Sequence, residues 1–162
     1  MRMAFSTATV EVTFGQVAVF ASALQQPFND WTDGHVAQGF AWRPGSVSFR
    51  TLVEAGPHSI EICVADHAGL VSADAARAIE VPFEVPADGA IEVGSISDSV
   101  SLSLPAGVFL LRCEFLRPDH NGKARARLVF ARKDAPRFAI VRADESLSTD
   151  GELLTTAQAA SG

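Results

Sequence analysis

Two aspartates three residues apart bracket a tryptophan and a threonine in the sequence DWTD at residues 30–33. Carboxylates with this spacing suit a helix start, with Asp30 as the N-cap that accepts free backbone N–H groups and Asp33 as the acid of a capping box. The stretch also suits a partner-binding surface, because tryptophan is enriched among the residues that contribute most to protein interfaces. The spacing favours the helix start, and the binding site stays open as the alternative.

The predicted helix is short and lies near residues 31–38. We expect Trp31 and Val36 to face the core of the protein. Gly39 should end the helix, because glycine readily adopts the left-handed backbone conformation at a helix C-terminus.

Patterns of known catalytic or metal-binding chemistry are missing from the sequence. It has no glycine-rich phosphate-binding motif, no HExxH and no CxxC, and its four histidines are scattered, whereas a zinc site needs converging ligands. Cys63 and Cys113 do not make a disulfide framework. Cys113 alternates in phase with apolar residues, which indicates a buried side chain. The sequence therefore predicts no enzyme, no metal and no cofactor.

Charge is distributed unevenly along the chain, whose net charge is −6. Residues 1–116 hold five arginines and 13 acidic residues, whereas residues 117–143 hold eight basic residues and two aspartates. A mostly acidic body argues against general nucleic-acid binding and suits a basic partner.

The basic segment, residues 117–142, contains a predicted hairpin around an Asn121–Gly122 turn. Arg125 and Arg127 share one face of its second strand, and Phe130 is out of phase with them. Aromatic side chains that could stack on bases are therefore missing from that face. We expect the arginines to pair with acidic neighbouring strands rather than with nucleic acid.

Apolar and polar residues alternate with a period of two along most of the chain, between turns that contain Gly or Pro. About ten short strands with few helical patterns predict an all-β fold, an antiparallel β-sandwich. We expect this single domain to occupy residues 1–143. Residues 144–162, rich in acids, Ser, Thr and Ala, should form an acidic disordered tail.

The cellular location follows from the hydrophobic pattern. There is no run of about 18 apolar residues that would form a membrane-spanning helix. The apolar segment 17–23 has only Arg2 as a basic residue before it, which is a poor match to a signal peptide. We expect a cytoplasmic protein that is either free or held at the membrane through its partner.

The order of several motifs resembles that of the competence protein J family. They are NDWTDGHVAQGFA at residues 29–41, SVSF at 46–49, VPF at 81–83, and a strand–Leu–Pro–Ala–Gly–strand hairpin within 102–115. The resemblance extends over residues 8–142. The order of the motifs is more specific than any one of them.

The best-known member of that family inhibits the competence DNA-entry nuclease. The resemblance implies a non-enzymatic, immunity-type inhibitor whose partner is a nuclease with a basic active-site groove. An acidic, rigid sandwich can occupy such a groove by presenting carboxylates where phosphates would sit. The candidate partner-binding residues are five acids and one tryptophan: Asp30, Trp31, Asp33, Glu80, Glu84 and Glu92.

Three of these acids lie on two predicted strands that are joined by a turn. Glu80 and Glu84 have the same parity on one predicted strand, and Glu92 is placed across an Asp88–Gly89 turn. The alternative function is that of a β-sandwich that binds a carbohydrate ligand. In that case the two tryptophans of the chain would form the stacking platform.

Overall fold

Eleven strands and one short helix make up the part of the chain that the computed structural model describes, residues 3–149 and 151–160. In chain order they are β1 (Met3–Val12), β2 (Gln16–Ala21), α1 (Asp33–Gln38), β3 (Phe40–Arg43), β4 (Ser46–Arg50), β5 (Gly56–Ala65), β6 (Ala75–Val85), β7 (Ala90–Ser95), β8 (Asp98–Ser103), β9 (Gly107–Leu116), β10 (Ala124–Arg132) and β11 (Ala139–Arg142). The predicted all-β fold class is confirmed. The one helix described, α1, has six residues. No helix in this part of the chain is long and apolar enough to cross a membrane.

The strands form two sheets that pack face to face. One sheet has the order β1-β5-β10-β9-β6-β11 and the other β3-β4-β2-β7-β8. The inward-facing residues of both sheets form a single apolar core. On β6, for example, Val81 and Phe83 are almost completely buried in this core, whereas Glu84 between Phe83 and Val85 is exposed.

Neighbouring strands are antiparallel with one exception. β5 and β10 pair in parallel, with Ile62 opposite Leu128. The prediction of antiparallel sheets is therefore wrong for this pair. Strands that are close in sequence pair antiparallel, whereas four strands separate β5 from β10 and supply the crossover that a parallel pair requires.

Two connections cross between the sheets near each other. Residues 86–89 lead from β6 to β7, and residues 104–106 lead from β8 back to β9. Neither is a hairpin, so the predicted hairpin within residues 102–115 is wrong. Leu104 N donates to Gly89 O at 2.9 Å. A Cβ at Gly89 would lie 2.5 Å from Leu104 O, and the φ of Gly89 is +71°, so this position requires glycine.

α1 begins two residues later than the carboxylate spacing suggested. Thr32 is the N-cap: its Oγ1 accepts from His35 N, and Thr32 N donates to His35 Nδ1 at 3.0 Å. The prediction that Asp30 caps the helix is therefore wrong. Gly39 ends the helix as predicted, with a left-handed φ of 89° and its N–H bonded to His35 O.

Residues 144–149 and 151–160, called the tail here, lie against the sandwich, where the sequence suggested disorder. Leu147 is 8% exposed and belongs to the core cluster. Ser148 N donates to Ala37 O at 2.8 Å, and Asn29 forms a β-bridge with Ala159. The tail is polar in composition, so its order comes from a few leucines and from backbone hydrogen bonds.

Arg77 joins both sheets to the tail. Its side chain is 1% exposed and lies on β6, and its guanidinium donates to the carbonyls of Arg50 and Thr51 at the end of β4. It also donates from Nε to Asp144 Oδ1 at 2.9 Å and from Nη2 to Ser146 Oγ at 2.6 Å. Burial raises the pKa of Asp144, but the hydrogen bonds from Ser146 and Arg77 outweigh it, so the pKa is lowered overall.

The arginines of the basic segment face acids on neighbouring elements. Arg127 Nε lies 3.1 Å from Glu61 Oε1 on β5, and Arg125 Nη2 lies 3.9 Å from Asp74 Oδ2 before β6. Because these contacts cross between elements of the sheet, they agree with a structural role for the two arginines.

Candidate functional site

The predicted partner-binding acids occupy three separate places. Glu80 and Glu84 point outward from β6 in the six-stranded sheet, because the residues between and beside them enter the core. Glu92 points outward from β7 in the other sheet. Asp30 and Asp33 lie at the start of α1. Since β6 and β7 are in different sheets, Glu92 is on the opposite outer face from Glu80 and Glu84, and the turn between the two strands does not bring them together.

Glu80 belongs to a buried ion network. Its carboxylate lies 3.5 Å from Nη1 of Arg112, whose side chain is 3% exposed. Arg112 also bonds the fully buried Glu114 at 2.8 Å and donates to the carbonyls of residues 68–70. This network fixes the 68–70 loop on the outer face of the sheet, and Glu80 shares Arg112 with Glu114.

Glu84 lines an apolar cleft of about 410 Å³ together with Trp42 and Val108. The Trp42 indole N–H donates to Pro82 O at 2.7 Å, and its ring meets Phe138 edge to face at 5.1 Å. Trp42 is therefore fixed in place, and its polar atom is satisfied.

Glu92 accepts a hydrogen bond from Ser99 Oγ on the adjacent strand β8, at 2.8 Å. It is half-buried and, together with Asp98, lines a separate and more open cleft. Asp98 in turn accepts from the backbone N–H of Glu11 at 2.7 Å. The carboxylates of this face therefore have structural partners.

Trp31 lines a cleft of about 450 Å³ on a different part of the surface from Trp42. The two tryptophans do not share a cleft, so the structure does not bring them together as the platform that the carbohydrate-binding alternative required. The Trp31 cleft is called the Phe14 cleft here. It is lined by residues of the β1–β2 turn, of α1 and of the segment after β4: Phe14, Gly15, Gln16, Trp31, Val36, Arg50, Thr51, Leu52, Val53 and Glu54.

Local backbone bonds shape one wall of the Phe14 cleft. Phe14 and Gly15 form the tight turn that carries the chain from one sheet to the other, both with positive φ. Gly15 N donates to Glu54 O at 2.7 Å, and Thr51 N donates to Gly15 O at 2.9 Å. The turn and the segment after β4 are thereby held side by side.

α1 forms the other wall, and the tail braces it from behind. His35 is 4% exposed, and its Nε2 lies 2.9 Å from Thr156 O. Since a carbonyl only accepts, Nε2 carries the proton and Nδ1 is left to accept from Thr32 N–H. Gln38 Nε2 donates to Leu154 O at 3.0 Å, and Leu154 N donates back to Gln38 Oε1 at 2.8 Å.

Sequence reasoning found Trp31 but missed Phe14, Val53 and Glu54. Val36 lines the cleft and is 41% exposed, so the expectation that it faces the core is wrong. A signal was present at Phe14: a large aromatic residue stands before glycine in a two-residue turn, where Asn or Asp is usual. Within residues 3–149 and 151–160 no group of three or more His, Cys, Asp or Glu side chains converges as metal ligands would.

Fold and surface define a small two-sheet β protein whose exposed aromatic cleft is suited to contact with another protein. The chain belongs to the competence protein J family, whose model matches residues 9–131. The match extends from β1 through β10, and it confirms the family suggested by the order of the sequence motifs.

Two solved structures share the fold. ComJ from Bacillus subtilis, described as the inhibitor of the DNA degrading activity of NucA, superposes with a TM-score of 0.72 and 21% identity, covering 82% of this chain and 100% of that one. The product of crocagin biosynthetic gene J superposes with a TM-score of 0.59 and 12% identity, covering 83% and 100%. At these identities the likeness establishes the fold alone. No curated protein sequence matches the chain.

Proposed function

We propose that this protein is a non-enzymatic inhibitor that binds a nuclease and blocks its DNA-degrading activity. The observation that carries the proposal is the family match over residues 9–131. The likeness to ComJ, described as an inhibitor of the nuclease NucA, supports it further.

The charge of the protein supports a basic protein partner. Its net charge is −6, and the excess of acids lies in residues 1–116, which form most of the sandwich. A nuclease must hold polyphosphate in a basic groove, and an acidic surface accelerates association with such a groove through electrostatic steering. An interface of about 1,600 Å², typical of specific complexes, fits on a protein of this size.

The structure separates the candidate residues by how free they are to meet a partner. Asp30, Asp33 and Glu84 are exposed carboxylates. Glu80 and Glu92 already pair with an arginine and a serine, so a partner would have to compete with these contacts. We propose Asp30, Asp33 and Glu84 as the stronger candidates among the acids.

A cleavage assay tests the function directly. The purified protein is titrated into a nuclease encoded in the same genome, and the degradation of duplex DNA is followed together with complex formation by size-exclusion chromatography. We expect stoichiometric inhibition and a co-eluting complex. A nuclease that cleaves at its normal rate at saturating protein, with no complex, would overturn the proposal.

The cellular location that we propose follows from the proposed nuclease partner. We place the protein in the cytoplasm, either free or held at the membrane through the nuclease. Fractionation of cells with and without the nuclease gene should show any membrane-bound pool disappear in the second strain. A membrane-bound pool that persists without the nuclease would contradict this.

A further inference from the structure

We infer that the Phe14 cleft is where the nuclease docks, and that it receives a loop of the nuclease bearing a lysine or arginine side chain. This inference rests on the proposed function and selects one face among the three that carry candidate residues.

Apolar side chains are concentrated at this cleft. Of eight large hydrophobic side chains exposed in the described part of the chain, Phe14 (71%), Val36 (41%) and Val53 (44%) all line it. The half-buried Trp31 and Leu52 extend the same surface. Contiguous exposed apolar surface on a small protein marks an interaction site more often than scattered residues do.

The Phe14 side chain does not suit the turn position that it occupies. It is the only non-glycine residue with a positive φ, 56°, in residues 3–149 and 151–160. A bulky residue in this region is strained by about 1–3 kcal/mol, and strain of this kind concentrates at functional sites. Since its ring is 71% exposed, packing within the fold does not compensate for the strain. The residue is therefore best explained by a contact outside the chain.

Trp31 differs from Trp42 in its polar atom. The Trp31 indole N–H is enclosed and has no hydrogen-bond partner among the residues that the structure describes, whereas that of Trp42 is bonded to Pro82 O. An enclosed unpaired N–H costs about 1–3 kcal/mol. A backbone carbonyl of an incoming loop would satisfy this N–H.

Carboxylates outnumber bases around the cleft. Arg50, the one base among the lining residues, donates to the carbonyls of Val36 and Ser146 and keeps its positive charge. Glu54 lines the cleft, is exposed, and has no ion-pair partner in the described part of the chain. Asp33 is exposed in the first turn of α1. A lysine or arginine can lay its aliphatic stem over the aromatic rings and reach these carboxylates with its charged end.

Two variants test the inference. Phe14→Asn removes the ring and suits a left-handed turn position, so the protein should fold at least as stably as the wild type. Its Kd for the nuclease should rise about 30-fold or more, as for a central interface residue. Glu54→Lys should lower the association rate more at low salt than at high salt, because steering is screened by ions.

Matched controls keep the face and the function distinguishable. Glu84→Lys reverses the charge of a candidate residue on another face and tests that face as the alternative. Leu70→Asn removes a side chain that is 93% exposed and outside the cleft, and Asp134→Lys reverses an exposed charge that is also outside the cleft. Both should inhibit like the wild type. If Phe14→Asn were poorly folded, Val53→Ser takes its place with the same expected loss.

Three outcomes of these binding and inhibition measurements are distinguishable. Loss of binding in the cleft variants with intact controls supports the inference. If the wild type and all cleft variants inhibit equally, or if Glu84→Lys alone weakens binding, the docking site is wrong while the inhibitor function stands. If the wild type itself neither binds nor inhibits, the proposed function fails and the inference fails with it.

Discussion

Removing the carboxylate of Asp144 should destabilise the whole sandwich, although this residue follows the last strand. Asp144 accepts two hydrogen bonds from Arg77, at 2.9 and 3.1 Å, and Arg77 also bonds the end of β4. The perturbation is Asp144→Ala. The matched control is Glu145→Ala, an exposed acid at the next position.

The magnitude follows from burial. Breaking a fully buried ion pair costs about 3–5 kcal/mol, because a charge is left without compensation. Here Arg77 is 1% exposed but Asp144 is 26% exposed, and Arg77 keeps its bonds to carbonyls and to Ser146. In the variant, water at the partly exposed position of the missing carboxylate can therefore solvate part of the Arg77 charge. We expect the free energy of unfolding to fall by about 2–3 kcal/mol.

Urea and thermal unfolding measure this loss. A change of that size should lower Tm by about 4–12 °C for a chain of this length. The lowered pKa of Asp144 adds a pH signature. Its contribution to stability is present above the unfolded value of about 3.9 and is lost as pH falls through the lower folded pKa. Asp144→Ala should lose that part of the acid dependence.

The reasoning would be refuted by a loss below about 0.5 kcal/mol, the value of an ordinary exposed pair. It would also be refuted if Glu145→Ala were equally damaging, because the effect would then belong to the tail's charge in general. An unchanged acid dependence in Asp144→Ala would show that other carboxylates set it.

Three further predictions concern buried side chains. Leu147→Ala should cost about 2–4 kcal/mol and expose the tail to proteolysis, because Leu147 packs in the core. Burial lowers the pKa of His58 more than its bond to Gly56 O and the nearby Glu11 raise it, so the unfolded chain binds more protons below about pH 6.5. The unfolding free energy should therefore fall as pH drops through that range, and His58→Leu should flatten the dependence. Burial raises the pKa of the Cys63 and Cys113 thiols, so a thiol reagent at neutral pH should label them only after denaturation.

Each of these has a result that would contradict it. For Leu147→Ala this is wild-type stability together with an uncut tail. For the histidine it is a slope near pH 6 that survives His58→Leu. Rapid labelling of either cysteine in the native protein would show that the thiols are reached without unfolding.

Local signals predicted the elements better than their partners. The strands follow from alternation, and Gly39 follows from the need for a left-handed residue at a helix end. The N-cap could not be decided because Asp30 and Thr32 are both good capping residues, and the choice depends on His35, whose ring is held by Thr156. That contact is invisible in a local window.

The candidate site also depended on contacts that no local window shows. The sequence around Asp88–Gly89 is that of a hairpin turn, but here it carries the chain between sheets and places Glu92 on the far side from Glu80. The alternation of apolar and polar residues does not distinguish a hairpin turn from a connection between sheets, because the flanking strands alternate in the same way in both cases. The cleft around Phe14 likewise joins three segments far apart in sequence.

The brace behind α1 has a consequence for biosynthesis. His35 meets Thr156 across 121 residues of sequence, and Gln38 meets Leu154 across 116. During translation these supports leave the ribosome long after the helix does. The wall of the Phe14 cleft is therefore completed only once residues 154–156 have emerged, so a chain truncated before them lacks the finished surface.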